Sequence, residues 1–530
     1  MVFPTPYNAA VDLVDRHVDE GRGDRIAYVH ARGEISYRDL HERVNRAGNA
    51  LLRAGIRPEE RVSLVLLDGL DFVALFLGAM KIGAVPVPMS TMLTEKDYDH
   101  LLSDSRAALC VVSTTLLDRV LPAARRSRWL RETWHARPLS ELDPESEQAF
   151  ARELSLGPLP ELATRLAAAD THLEAEPTSA DHVAFWLYSS GSTGLPKGAM
   201  HLHGHLARTA VAYARSVLGL GPDDRVYSAA RLFFAYGLGN TLTFPLYVGA
   251  TAVLEEARPS PDTVRTVFER HRPTVFCGVP TLFAQLLAKE AVDREVATRL
   301  RLSTSAGEAL PAHLGHRWRE RTGTDILDGI GSTEMLHIFV SNRPDDVRYG
   351  TSGTAVPGYS LKLVTDDGLQ AKAGEEGALW VSGRTAATGY FGQREKSLAT
   401  FHGPWTRTGD RYLLREDGAY VYAGRDDDML KVGGIWVSPF EVESALASHE
   451  AVLEAAVVGA EDPTGLVKPK AYVVLAPGHE GTDQLELALK AHVRDLLAPY
   501  KYPRWLVFVA ELPKTATGKV QRYRLRGPST

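Results

Sequence analysis

Residues 185–200 read FWLYSSGSTGLPKGAM. An aromatic and apolar run passes into two hydroxyl pairs and two glycines, and Pro196, Lys197 and Gly198 close the stretch. Gly191 and Gly194 let the backbone turn tightly and present its N–H groups to an anion. Ser189, Ser190, Ser192 and Thr193 add hydroxyl donors, and Lys197 adds a point charge. A polyphosphate requires this chemistry. A flexible Ser/Gly linker has a similar composition, but it has no reason to follow a buried-strand pattern or to end in Pro-Lys-Gly. The loop is not of the Walker type, because GxxxxGKS/T is absent.

A phosphate loop needs rigid elements to hold it, and the hydrophobic pattern supplies them. RVSLVLL (61–67) is a near-continuous apolar run of strand length, residues 71–82 read as a helix, and VPVPM and AALCVVS read as further strands. The alternation recurs from Arg225 through GATAVLEE, residues 261–271 and TVFCGV. Fully apolar strands separated by helices predict parallel sheets covered on both faces, an α/β architecture. Residues 117–177 are rich in Ala, Arg, Glu and Leu, and RRSRWLRETWHAR (125–137) reads as a solvated helix or a variable excursion. Beyond the charged cluster GRDDDMLKVGGIW (424–436) the pattern changes. PFEVESALASH reads as a helix, EAAVVGA and KAYVVLA as strands, and LELALKAHVRDLLA as a helix. This is an αββα-type unit of about 100 residues, a second, smaller domain.

Composition bounds the function from outside. The 530 residues carry 60 Lys+Arg against 66 Asp+Glu, a formal net charge of −6. That balance gives no argument for a nucleic-acid partner. With 44% hydrophobic and 24% charged residues, the chain has the profile of a soluble globular protein. Cys110 and Cys277 lie in apolar runs and read as buried reduced thiols; no CxxC or Cys/His spacing supports zinc. The N-terminus lacks a basic stretch followed by an apolar one. The most apolar window, 71–87, is broken by Lys81, two glycines and a proline. Neither a secretory signal nor a membrane span is expected, and the expected location is cytoplasmic.

Four further motifs follow the loop in order: GIGSTE (329–334), TGD (408–410), GRDDDMLKVGG (424–434) and PKTATGK (513–519). With YSSGSTGLPKG they resemble the signature segments of the adenylate-forming enzymes, which include acyl- and aryl-CoA synthetases, luciferases and nonribosomal-peptide adenylation domains. The resemblance covers residues 188–519, and the N-terminal part matches in pattern. It implies a large N-terminal domain, 1–426, of packed subdomains (two α/β sheets plus a small β-barrel). A small mobile α+β domain, 427–530, would turn about a hinge at Asp427. It also implies that Thr193 and Glu334 hold Mg²⁺ on ATP, a role suited to hard oxygen ligands. Ser189, Ser190, Gly191, Ser192, Gly194 and Lys197 would cradle the phosphates. SAGE (305–308) is similar to the adenine-binding turn, so Ala306, Gly307 and Glu308 would line the base. Asp328, Gly329, Ile330 and Thr333 would complete the nucleotide site. Asp410 would accept hydrogen bonds from the ribose hydroxyls, assisted by Arg425. Lys519 would bridge the substrate carboxylate and the α-phosphate. Without the resemblance, Glu334 reads as a helix N-terminal charge and Lys519 as one exposed lysine among many. Two positions depart from the family. Ile330 replaces a tyrosine, so adenine is expected to meet an aliphatic group. Trp436 stands where an arginine is frequent, which suggests packing on the CoA side.

AARLFFAYGLGN (229–240), FWLYSSGSTG and GIGSTEMLHIFVSN together resemble the benzoate–CoA ligases among these enzymes. A flat ring needs a slot walled by aromatic and small residues. Ala235, Tyr236, Gly237, Gly331, His337 and Ile338 map onto it by that resemblance; by itself His337 reads as a core histidine held by a backbone carbonyl. The implied reaction joins ATP and an aryl carboxylate into an aryl-adenylate, which CoA then converts to the thioester. Rotation about Asp427 would withdraw Lys519 and bring Lys431, Gly433 and Gly434 to the adenylate, with Trp436 along the CoA tunnel. The implied partners are the aryl carboxylate, ATP and CoA, with no nucleic acid and no membrane. The resemblance adds a second copy of the chain as a homodimer. A protein acetyltransferase and deacetylase acting on Lys519 are also candidate partners, since acetylation would remove its charge. Three alternatives stay open: a substituted ring such as 2-aminobenzoate or hydroxybenzoate, a stand-alone adenylation enzyme loading a carrier-protein thiol, and a non-catalytic nucleotide-binding scaffold. Intact Lys197, Glu334, Asp410 and Lys519 argue against the last.

Overall fold

A computed structural model describes residues 1–137, 160–189, 195–426, 428–432, 435–463, 466–514 and 520–526. The apolar runs become the middles of sheets. Strand Leu109–Ser113 is buried along its whole length. It pairs in parallel with Arg61–Val65 on one side and Glu132–Ala136 on the other. Val85–Pro88 completes this four-stranded parallel sheet. The helix Leu70–Lys81 is buried at every residue except Asp71, which explains an apolar run without a polar face. Its terminal Lys81 is accommodated by hydrogen bonds to the Asp15 carboxylate and, at 2.6 Å, to Asn45 Oδ1.

The central sheet has nine strands. Strands Ile326–Gly331, Leu302–Ser305, Val275–Gly278, Arg225–Ser228, Thr251–Val253 and Ile26–His30 run parallel through its middle. Antiparallel strands close it: Ile338–Ser341 and Thr354–Ala355 at one end, Gly33–Ser36 at the other. A five-stranded sheet follows, antiparallel throughout, in which Trp405–Leu414 pairs with Glu376–Ser382 on one side and Tyr420–Arg425 on the other. A separate antiparallel hairpin pairs Val183–Ser189 with Lys197–Leu202. The two α/β sheets are those expected, and the smaller β unit takes the form of this five-stranded sheet.

The C-terminal part has its own hydrophobic cluster, running from Leu430 through Val457 and Leu489 to Leu506. Helices Pro439–Ala447 and Asp483–Leu496 cover a three-stranded sheet of Val452–Glu461, Val467–Leu475 and Trp505–Phe508, the αββα-type pattern with one further strand. No described helix is long and apolar enough to cross a membrane. Cys110 and Cys277 are free and buried, and burial pushes each thiol up to about 12.

Residues 125–137 differ from expectation. Glu132–Ala136 is an edge strand of the four-stranded sheet rather than part of a solvated helix. Its Trp134 is fully buried, and the indole N–H donates to Glu132 Oε2 at 2.6 Å. The arginines around it mark the exposed side of an edge, where charge also discourages pairing with another chain.

Candidate active site

Adjacent parallel strands Leu302–Ser305 and Ile326–Gly331 run in register, Ser305 beside Asp328. Ligands in such sheets collect beyond the carboxyl ends of the strands. Here a cavity of about 510 Å³ opens at that place. Gly307, Glu308, Asp328, Gly329, Ile330 and Gly331 line it. Gly307 turns with φ of +97°, in the left-handed region where a side chain would strain the backbone. Ala306 lies buried behind the turn. Burial pushes the Asp328 carboxyl well above its ordinary range, and its Oδ1 has no hydrogen-bond partner. A carboxyl held near neutrality at the wall suits a purine edge better than a phosphate.

The five-stranded sheet supplies the opposite wall. Asp410 and Arg425 face each other on neighbouring strands, with Nη1 donating to Oδ1 at 3.3 Å. The Asp410 N–H donates to Thr408 Oγ1 at 3.1 Å, and the Thr408 hydroxyl donates to the Leu379 carbonyl at 3.0 Å. The aspartate is therefore fixed in direction on a rigid strand. Lys514 and Val520 of the small unit pair as an isolated bridge and also line the cavity. Lys514 itself is engaged by both Glu454 oxygens at 2.7 Å.

The hairpin brings Lys197 and Ser189 to the same cavity. Ser189 Oγ is buried and without a hydrogen-bond partner. The Lys197 ammonium sits over the Tyr390 ring, 4.6 Å from its centroid, and Tyr390 Oη donates to Glu334 Oε1 at 2.7 Å. Burial pushes the Lys197 ammonium down, and the Glu334 charge opposes that shift. The Glu334 turn is held from behind, where His201 Nε2 lies 2.8 Å from the Thr333 carbonyl. His201 is buried and pushed down to about 4 by desolvation, so it stays neutral and donates to that carbonyl.

The ring-slot residues lie next to this cavity and deeper. Gly331 and Phe234 line it. Ala235, Tyr236 and Gly237 follow Phe234 at the start of helix Ala235–Leu238. Gly237 packs so closely that a Cβ would meet the Arg231 carbonyl at 2.0 Å. Tyr236 Oη lies 2.6 Å from Thr304 Oγ1. His337 is caged by Tyr213, Tyr236 and Phe244, with ring centroids at 5.2, 5.6 and 4.5 Å. Neither His337 ring nitrogen makes a well-formed hydrogen bond, and the Tyr236 backbone is the polar group that acts on the ring. Burial pushes it down to about 3, with the Tyr236 backbone pulling weakly the other way. Ile338 is buried opposite Gly331 in the strand register.

Several expected residues fall outside the described set: Ser190, Gly191, Ser192, Thr193, Gly194, Asp427, Gly433, Gly434 and Lys519. Lys431 and Trp436 pair with each other in the hairpin of Leu430–Val432 and Ile435–Val437, and their side chains also fall outside it. Tyr390 was missed in the sequence. It sits in TGYFG, a turn-like segment with no periodicity, and only the fold brings it to Glu334.

The comparisons agree with this geometry. Residues 14–391 match the AMP-binding enzyme family, and residues 441–519 match the AMP-binding enzyme C-terminal domain. The chain belongs to the AMP-binding enzyme family. Among members of that family, it is 53% identical to a benzoate–CoA ligase of Thauera aromatica over 526 residues, 99% of this chain and 96% of the relative. The structure of a benzoate–CoA ligase from Burkholderia xenovorans superposes with a TM-score of 0.89 at 46% identity, covering 98% of this chain and 100% of that one. An anthranilate–CoA ligase in complex with anthranoyl-AMP gives 0.91 at 40% identity, covering 99% and 97%.

Proposed function

We propose that this AMP-binding enzyme is an ATP-dependent aryl–CoA ligase. It converts benzoate or a ring-substituted benzoate, ATP and CoA into aryl-CoA, AMP and pyrophosphate. The observation that carries the reading is the meeting of Lys197, Glu334, Asp410 and Arg425 in one cavity beside an aromatic slot. In the first step a carboxylate oxygen of the acid attacks the α-phosphorus in line, and the bond to pyrophosphate breaks. Asp410 accepts from the ribose hydroxyls, while Lys197 and Lys519 stabilise charge on the transferring group. Glu334 Oε1 takes the Tyr390 hydroxyl, so its second oxygen, with the Thr193 hydroxyl, fits Mg²⁺. When bound there, that ion would neutralise phosphate charge. In the second step the CoA sulfur attacks the carbonyl carbon, the bond to the AMP oxygen breaks, and AMP leaves.

The division at Asp427 is part of the same proposal, with a large domain of 1–426 and a small one of 427–530. What supports it is the anchoring on either side. Asp426 pairs with Arg407 of the five-stranded sheet at 2.8 Å, and Asp428 with Arg526, just past the helix Arg522–Leu525, at 2.8 Å. Lys431, Gly433, Gly434 and Trp436 are assigned to the thioester step. A substituted ring is the second reading, favoured by the polar His337 ring held among Tyr213, Tyr236 and Phe244 beside the slot. The cytoplasm, which supplies ATP and reduced CoA, is the proposed location.

Pyrophosphate release over a panel of aryl acids, with CoA or a carrier protein as acceptor, tests the reading. Turnover with benzoate and CoA is expected; release only with carrier protein, or with no aryl acid, overturns it. Lys519→Ala should abolish adenylation yet largely retain thioester formation from preformed benzoyl-AMP. Equal loss of both half-reactions refutes that division of labour.

A further inference from the structure

Lys197 and Glu334 carry opposite charges and line one cavity, and each feels the other's field. Left to themselves they would form an ion pair, and each would then be spent on the other. Among the described contacts they do not. Tyr390 stands between them, its ring under the ammonium at 4.6 Å and its hydroxyl on the carboxylate at 2.7 Å.

The backbone around Tyr390 is tied to both sides. Met200 N–H donates to the Gly389 carbonyl at 3.1 Å, and Phe391 N–H to the Gly198 carbonyl at 3.0 Å. These bonds fasten the segment to the strand that begins with Lys197. On the other side, Ala387 N–H donates to the Glu334 carbonyl at 2.7 Å, and Thr385 Oγ1 to the Met335 carbonyl at 2.9 Å. The Tyr390 N–H donates to Ser397 Oγ at 2.9 Å, and the side chain is 4% exposed.

We propose that Tyr390 is a positioning residue that keeps Lys197 and Glu334 apart and separately available, the amine to the phosphates and the carboxylate to the metal-bound nucleotide. The proposal rests on the reading of this site as one for ATP. The hydroxyl serves Glu334, and the ring serves Lys197 through a cation–π contact. The two functions separate by substitution: Tyr390→Phe removes the first, and Tyr390→Leu removes both.

The test is equilibrium binding of a non-hydrolysable ATP analogue to the full chain by titration calorimetry, with MgCl₂ and with EDTA. Tyr390→Phe is expected to weaken binding about tenfold in Mg²⁺, the loss of one hydrogen bond to a charged group, and less than about twofold in EDTA. Tyr390→Leu should weaken both. In a Glu334→Gln background the effect of Tyr390→Phe should largely vanish, since coupled residues are non-additive. A Tyr390→Phe effect of equal size with and without Mg²⁺, or in both backgrounds, overturns the proposal. If Tyr390→Leu fails to fold, the Tyr390→Phe cycle still decides. Wild-type protein that fails to bind the analogue overturns the ATP reading itself. Wild type that binds normally, with Tyr390→Phe indistinguishable from it, overturns only the role of Tyr390.

Discussion

Asp410 is the residue whose chemistry is tied most closely to one part of the proposed substrate. A carboxylate offers two acceptor oxygens to a diol, and the Arg425 guanidinium donates to one of them at 3.3 Å. Asp410→Ala removes the acceptors and leaves Arg425 without that carboxylate. Loss of hydrogen bonds to a charged group costs about 1.5–3 kcal/mol, so the KM for ATP should rise at least about tenfold. The KM for the aryl acid should stay near wild type, because Asp410 stands on the strand Trp405–Leu414, while Ala235, Tyr236 and Gly237 stand on the helix Ala235–Leu238 and Ile338 on the strand Ile338–Ser341. Steady-state kinetics with each substrate varied separately checks this. Ser189 and Lys197 were legible as cavity residues, because hydroxyls, glycines and a lysine in one run suit a phosphate, whereas Asp410 and Arg425 were pointed to only by the resemblance to the adenylate-forming enzymes. Ile330 was legible too, as an aliphatic cavity wall. Tyr390 was not. An aromatic residue between glycines carries no signal of what it will touch across 56 residues of chain.

At the scale of elements, the parallel sheets were readable wherever a strand was apolar on both faces, as in Leu109–Ser113 and Val275–Gly278. Glu132–Ala136 was not, because only Trp134 and Ala136 of its five residues are buried, and Glu132, Thr133 and His135 are polar. Five residues are too few for a period of two to stand out against flanking arginines. Its one strong signal was Trp134, at 0% exposure. Trp134→Ala should cost about 3–5 kcal/mol, the usual range for emptying so large a volume. Urea unfolding should show this as a lowered midpoint at unchanged slope. A loss below about 1 kcal/mol would mean that the strand is not part of the folded sheet.

For the whole molecule, the buried histidines set how stability varies with pH. His17 and His201 are pushed down to about 4, and His203 and His337 to about 3, in each case chiefly by burial. All four are neutral in the fold and take up protons when the chain unfolds below pH 6.5. Their contribution is fully present above that unfolded value and is lost as the pH falls toward their folded values. Each costs up to about 1.4 kcal/mol per pH unit in that window. Asp68 acts in the opposite sense. Burial raises it to about 6, so its contribution is present below about pH 4 and lost as the pH rises through 6. Asp328 and Glu376 are raised like Asp68 and oppose the histidines, but His205 is lowered with the other four, so the histidines predict a net fall in stability from pH 7 to pH 5, which urea midpoints at the two values will show. An His203→Gln variant should be less sensitive over the same interval.

The two buried cysteines have a practical consequence. Neither thiol meets solvent, and each would ionise only near the alkaline end of the accessible range. A thiol-specific chromogenic reagent added to the folded enzyme should therefore react with free CoA and almost nothing else. Added to samples withdrawn during turnover, the reagent counts the CoA not yet acylated, and a slow rise in signal without substrates would report chains that have opened.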